Sequence, residues 1–390
     1  MSAGLFEAGQ LPARKGDIGM QKHHVMICIL AALFLAAGFV LCVFGTKPVY
    51  SDSERRYLAP KPRLTADTVK SGHFMEEFEA YALDTFPFRE KLRTVRAWTG
   101  TKLFRFKDQH GLYCSDGYFA AMEYPVHEDS VRRAALQFAS VCRQYLTKDQ
   151  PVYLSVIPDK NCFLARKSGR LSMDYAAFEN CMKQQMPFAQ YIPISDLLEL
   201  EDYYRTDPHW RQEKITGIAK RLAERMGSVL DEDYTMHTLE QEFYGAYYGQ
   251  TALSSGPDTL HYLTGRAIDS CSVYDWQNAK QIPVYDKNKA AGKDAYELFL
   301  SGPLSLLTME NPKAHNQKRL VIFRDSFGSA LAPLLVSGYE KITLVDIRYI
   351  RPELLGRFLD FSGCDVLFLY STLVLNHSET FAGDVRIAWK

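Results

Sequence analysis

The hydropathy pattern divides the chain before any motif is read. Residues 25–44, VMICILAALFLAAGFVLCVF, are apolar and uncharged. Twenty helical residues span about 30 Å, the thickness of a bilayer core. The pattern therefore predicts a single transmembrane helix. Residues 1–24, polar and glycine-containing, read as a disordered cytoplasmic tail. Residues 45–72, rich in Pro and Lys, read as a tether. A cleaved signal peptide is the rival reading of the span. The long polar stretch before it, and no clear small-x-small site near Phe44, favour an uncleaved anchor. Basic residues flank both ends, with Lys15 and Lys22 before the span and Lys47 and Arg56 after it. Charge alone leaves the orientation open.

Beyond the tether the pattern changes period. Phe74, Phe78, Tyr81 and Ala82 fall at helical spacing. Thr85-Phe86-Pro87 breaks that helix, and a second is expected over residues 90–102. Arg89, between them, could reach an acidic ligand group, but a salt-bridged scaffold residue is the expected role. Residues 111–122 read as a hairpin around Ser115-Asp116-Gly117. Helices at 130–146, 175–186 and 211–226 then alternate with short strands at 152–157 and 190–193. Residues 229–317 are the least regular part and are expected to elaborate the active-site edge. Alternation resumes with strands at 319–323, 342–346 and 365–370 and helices at 329–336 and 352–361. The run Leu320-Val321-Ile322-Phe323 is continuously apolar, as a strand buried on both faces must be. Strands alternating with helices imply a mostly parallel α/β sheet with right-handed crossovers, here over residues 73–390.

Composition adds limits. The 390 residues are 47% hydrophobic and 24% charged, enough for one large core. Lys+Arg 46 balances Asp+Glu 46, so no polyanion attraction and no nucleic-acid partner is implied. None of the eight cysteines shows C-x-x-C spacing, and no structural zinc is expected. Disulfides remain open, though several cysteines lie in apolar runs, where a small buried hydrophobe is the expected role.

Two stretches carry candidate chemistry. The first is Asp325-Ser326, on a tight turn between a strand and the helix that follows. Such a turn lifts a hydroxyl out of the carboxyl edge of the sheet, where open α/β sheets bind ligands. It also sets the Ser326 amide at a helix N-terminus, where partial positive charge favours an oxyanion. By itself this pair is more often a helix cap. The second stretch is Thr206-Asp207-Pro208-His209-Trp210. A serine needs a base to take its proton, and a histidine base needs an acid to fix its tautomer. Pro208 keeps the segment extended or turned, so Asp207 and His209 can face one hydroxyl together.

TDPHW followed by FRDSFGSAL resembles the bacterial DHHW family, which is similar to the SGNH-like alginate O-acetyltransferase group. The blocks SERRYLAPKPRL, SGHFMEEFEAYALDTFPFREKL, DGYF, VIPDKNCFL, EFYGAYYGQTA and VDIRYIRPELL resemble that family's, in order, over roughly residues 50–376. Two departures stand out. The signature reads Asp207-Pro208-His209-Trp210, with Pro at its first His. The Asp-x-His pair also precedes the serine, the reverse of ordinary SGNH esterases and the order of the alginate group. The resemblance implies a three-layer α/β/α, SGNH-hydrolase-like parallel sheet and places the domain outside the cytoplasm.

Three functions follow. The first is a membrane-anchored serine O-acyltransferase, by resemblance an O-acetyltransferase, acting on a cell-surface polysaccharide. Ser326 would be nucleophile, His209 base and Asp207 orienting acid. The Ser326 amide and Asn376 would form the oxyanion hole. Trp210, Tyr244 and Arg324 would hold substrate. No cofactor is needed, and the resemblance implies a membrane acyltransferase partner that supplies acyl groups. The second function is an esterase or deacetylase with the same triad and water as acceptor. The third is a glycan-binding envelope scaffold with a vestigial site.

Overall fold

The computed structural model describes residues 15–51, 53–54, 56–231 and 233–382. The chain divides into two compact units, residues 1–51 with 56–93, and 52–55 with 94–390.

In the first unit one helix runs Lys15–Phe44. Its Lys22–Phe44 portion is long and apolar enough to cross a membrane. The helix begins ahead of residue 25, inside the stretch expected to be disordered; residues 1–14 of that tail lie outside the described residues. The expected tether holds a two-residue antiparallel pairing, Tyr50–Ser51 with Arg56–Tyr57. It also holds a short helix, Ala66–Lys70, closed by a Thr65–Thr68 capping box. Helix His73–Asp84 follows. Arg56 grips Asp84 with two bonds of 2.8 and 2.6 Å, which holds that carboxyl down at about 2. Arg89 reaches Asp84 at 3.4 Å and Glu90 at 3.0 Å, a scaffold contact.

The second unit is built on an eight-stranded sheet. In chain order its strands are β1 (Val152–Ile157), β2 (Gln190–Tyr191), β3 (Ser272–Asp275), β4 (Lys280–Ile282), β5 (Leu306–Glu310), β6 (Arg319–Arg324), β7 (Lys341–Val345) and β8 (Cys364–Ser371). They lie side by side as β4-β3-β5-β7-β6-β8-β1-β2. The five from β7 to β2 are parallel. The other three are antiparallel. All three come from residues 229–317, so that stretch is a structural part of the sheet and not only an elaboration over its edge. Its strands are short and separated by loops, which hid them from periodicity.

Alternating residues along each central strand serve two cores. Val321, Phe323, Val366, Phe368, Leu154 and Val156 pack under helices Glu128–Tyr145 and Tyr175–Gln185. Leu320, Ile322, Leu367, Leu369 and Ile342 pack under helices Thr216–Arg225 and Phe327–Leu335. The result is the three-layer α/β/α sandwich expected. Burial on both faces explains why β6 and β8 read as unbroken apolar runs.

Other bounds shift for local reasons. The helix expected at 211–226 opens as a 3-10 turn, Gln212–Lys214, and becomes α-helical at Thr216. The one expected at 352–361 is a 3-10 helix, Pro352–Arg357. A helix at Asn161–Ser168, closed by Gly169 at φ 62, was not expected. The hairpin Leu112–Ser115 with Tyr118–Ala121 turns on Asp116 and Gly117, both at positive φ, as a two-residue hairpin loop requires.

From β6 the chain passes to β7 on one side, then crosses back to β8 on the other. The carboxyl end of β6 is thus a switch point of the sheet, the usual place for a ligand crevice.

Candidate active site

Ser326 sits two residues past the end of β6, at the cap of helix Phe327–Leu335. Asp325 fixes the turn. Buried completely, its carboxylate accepts the Phe327 amide at 3.0 Å and the Ser371 amide, at the end of β8, at 2.8 Å. Gly328 allows the helix to start this close to the strand: a Cβ there would lie 2.7 Å from Cβ of Arg324. Ser326 itself is only partly buried. Its Oγ is left facing the carboxyl edge, and its amide makes no hydrogen bond to another described residue.

The second stretch comes in as a narrow loop. Tyr203 pairs with Trp210, and the Tyr204 amide donates to the His209 carbonyl at 3.0 Å. The loop between is held from outside. Asp258 accepts the amides of Arg205 and Thr206 at 2.9 and 2.8 Å and the Thr206 hydroxyl at 2.5 Å. Lys160, from the turn after β1, donates to the carbonyls of Tyr204 and Arg205 at 2.8 and 3.2 Å.

These supports bring His209 Nε2 to 2.6 Å from Ser326 Oγ, across 117 residues of sequence. The other ring nitrogen, Nδ1, lies 2.5 Å from Asp207 Oδ1. Asp207 is fully buried and also accepts the Ala246 amide at 2.9 Å and the His209 amide at 3.2 Å. A buried carboxylate bonded at both oxygens is fixed in place. It fixes the imidazole with Nδ1 protonated and Nε2 able to accept from the serine. Tyr296 lies flat on the imidazole, centroids 3.9 Å apart, and the Phe327 ring packs against it at a tilt, 4.8 Å away.

The remaining expected site residues are placed elsewhere. Asn376 is not an oxyanion donor: its amide nitrogen is committed to Glu123 and the Pro125 carbonyl, each at 3.1 Å. Its oxygen accepts the His127 amide at 2.8 Å, so it joins segments as a buried linker. Trp210 is no sugar platform. It is fully buried, its indole N–H donating to the Phe327 carbonyl at 3.0 Å. Arg324 is also fully buried and points along the sheet to Asp346 (3.9 Å) and the Leu304 carbonyl (3.3 Å). The large polar and aromatic side chains of a motif are as often its anchors as its surface. Tyr244 does remain exposed, packed obliquely on Tyr248 in the segment beside Asp207.

Sequence reasoning missed Lys160, Asp258, Gly245 and Tyr296. Gly245 lies in the aromatic-glycine stretch EFYGAYYGQTA, where only a glycine flanked by aromatic residues signals it. Its role is close approach: a Cβ there would stand 2.3 Å from Cβ of Asp207. Burial pulls the Lys160 ammonium down to about 7, against the pull of Asp207 and Asp258. Burial likewise raises the neighbouring Asp159 to about 6, opposed by hydrogen bonds from Thr372 and Tyr175.

Comparison with known proteins bears on the fold and on one stretch of the sequence. The crystal structure of a DHHW family protein from Eubacterium siraeum superposes with a TM-score of 0.54 at 20% identity, over 69% of this chain and 92% of that one. Bacillus cereus PatB1 superposes with a TM-score of 0.54 at 17% identity, over 68% of this chain and 96% of that one. A second structure of PatB1, with a sulfonyl adduct, gives 0.53 and 18%. At these identities the likeness shows a shared fold. No curated protein matches the chain. The sequence profile of the DHHW protein family matches residues 196–345. That stretch holds Asp207, His209 and Ser326, and over it the chain is similar to the DHHW protein family.

Proposed function

We propose that this protein is a serine O-acyltransferase that acetylates hydroxyls of a cell-surface polysaccharide. The observation that carries the reading is the line Asp207–His209–Ser326, with hydrogen-bond distances of 2.5 and 2.6 Å. Ser326 Oγ attacks the acyl carbonyl of a donor while Nε2 of His209 takes its proton. Asp207 offsets the charge of the imidazolium. The Ser326 amide, at the positive end of its helix, donates to the oxyanion. Collapse expels the donor's leaving group, which takes the proton from His209, and leaves an acyl-Ser326 ester. An acceptor hydroxyl then gives its proton to His209 and attacks that ester, and Ser326 is regenerated by the same proton.

The acetyl group and the polysaccharide rest on the resemblance to the alginate O-acetyltransferase group. So does the partner, a membrane acyltransferase that delivers acyl groups to this side. The proposed location is single-pass, on the Lys22–Phe44 helix, with residues 46–390 outside the cytoplasm. The test is reaction of the purified full chain with a chromogenic acetyl ester, with and without a polysaccharide acceptor. Acetyl found on the glycan, and none with Ser326→Ala, supports transfer. Release to water alone, unchanged by any acceptor, would make the protein an esterase. A sulfonyl fluoride is a suitable trap for Ser326, since PatB1 takes a sulfonyl adduct.

A further inference from the structure

The segment 94–107 leaves its apolar side chains in solvent. Val95 is 58% exposed, Trp98 60%, Leu103 67%, Phe104 64% and Phe106 58%. This is a contiguous run of large hydrophobes, the kind of surface a soluble protein buries against something. The local fold keeps it outward. Ala97 and Gly100 are buried and form the inner face of the helical turns. A π-helical turn, Thr99–Leu103, inserts an extra residue and breaks the normal helical phase. Phe106 then folds back over Gly100, where a Cβ would lie 3.0 Å from its ring, and stacks on Phe104 at 5.8 Å.

Charge selects the partner. Between the apolar residues stand Arg96, Lys102, Arg105 and Lys107, all exposed. None of the four forms an ion pair among the described residues, and the segment holds no acidic residue. Four unopposed cations interleaved with Trp, Phe and Leu fit an anionic lipid surface. The rings enter the acyl boundary while the cations stay among the headgroups. Tryptophan is enriched at that depth for the same reason. The helix Lys22–Phe44, apolar enough to cross a bilayer, lies only some fifty residues earlier in the chain. We propose that residues 94–107 dock on the anionic lipid surface of the membrane that this helix anchors.

The inference is independent of the chemistry at Ser326. It is tested on the full chain reconstituted in nanodiscs whose lipids carry brominated acyl chains, which quench nearby tryptophan. Two lipid mixtures are compared, phosphatidylcholine alone and phosphatidylcholine with phosphatidylglycerol. In the anionic discs a large part of the emission should be quenched, and Trp98→Phe should abolish most of that quenched part. Trp98 is exposed, so Phe there leaves the fold intact. Reversing the four cations together (Arg96→Glu, Lys102→Glu, Arg105→Glu, Lys107→Glu), or raising salt to screen them, should reduce the quenching at least twofold. Equal quenching in wild type and Trp98→Phe would overturn the proposal. So would equal quenching in neutral and anionic discs. Concentration-dependent self-association in detergent, lost in Trp98→Phe, would assign the surface to a second copy instead.

Discussion

The rings of His209 and Tyr296 lie face to face, 3.9 Å apart and within 8° of parallel. A triad is usually described by its hydrogen bonds, which fix two points on the imidazole. A stacked ring fixes its plane as well. The Tyr296 hydroxyl contributes nothing visible, being buried without a partner among the described residues. Tyr296→Phe is therefore expected to keep ester turnover within about twofold, with stability changed by no more than about 1 kcal/mol. Tyr296→Ala removes the stack and opens a cavity, costing about 3–5 kcal/mol, and should lower kcat. Equal kcat in Tyr296→Ala and wild type would refute a positioning role.

The three proposed catalytic residues should fail as one unit. Ser326→Ala and His209→Ala are each expected to reduce ester turnover by on the order of a millionfold, and the double variant no further. Asp207→Asn should lose less, about ten-thousandfold. Its two oxygens accept from His209 Nδ1 and from the Ala246 amide, so an asparagine must aim its NH2 at one of these donors. Aimed at the imidazole, it forces the tautomer with Nε2 protonated, which cannot accept from serine. Steady-state kinetics on wild type and the four variants decides; multiplicative losses in the double variant would contradict a single mechanism.

Gly245 and Gly217 make opposite predictions from the same change. A Cβ at Gly245 meets Asp207 backbone and side chain at 2.5 and 2.3 Å, whereas one at Gly217 meets nothing within 4 Å. Gly245→Ala must push Asp207 out of line, and misplacement on the scale of 1 Å costs on the order of a hundredfold in rate. Gly217→Ala, inside helix Thr216–Arg225, should raise stability by about 0.5–1 kcal/mol and leave turnover alone. Full activity in Gly245→Ala would show that the contact is not needed.

Lys160 gives a pH signature. Its ammonium is pulled down to about 7 in the fold, from 10.5 in the unfolded chain. Between those values the unfolded state binds a proton that the folded state has released, so stability rises with pH there. Below about 7 both states are protonated and the burden of the buried charge is complete. The stability of wild type relative to Lys160→Met should thus climb from pH 7 toward 10.5, by at most about 1.4 kcal/mol per unit. Urea unfolding of both proteins at pH 7, 8 and 9 measures it. A flat difference would mean that Lys160 stays charged.

Much of this was legible in the sequence because single residues carry the signal. β6, β8 and the turn at Ser326 declare themselves through unbroken apolar runs followed by Asp-Ser. The pairing of Asp207 with His209 is readable because Pro208 limits the backbone between them. What stayed hidden depends on partners distant in sequence. Asp258 matters only because the Thr206 loop folds onto it, and Tyr296 only because it covers an imidazole 87 positions earlier. Asn376, Trp210 and Arg324 were misassigned because polarity or aromaticity near a motif says nothing of which way a side chain faces. All three are buried fastenings.

The fastening at Trp210 has a practical consequence. Its indole N–H is bonded to the carbonyl of Phe327, next to Ser326, and Gln212 is bonded to Ala330 one turn further on. His209 and Ser326 are therefore carried by one joined body and meet when the chain folds, with no substrate needed to bring them together. Hydrogen exchange at that indole should then report competence directly. The proton should be released only by opening of the whole unit, and every molecule that protects it should be one ready to react.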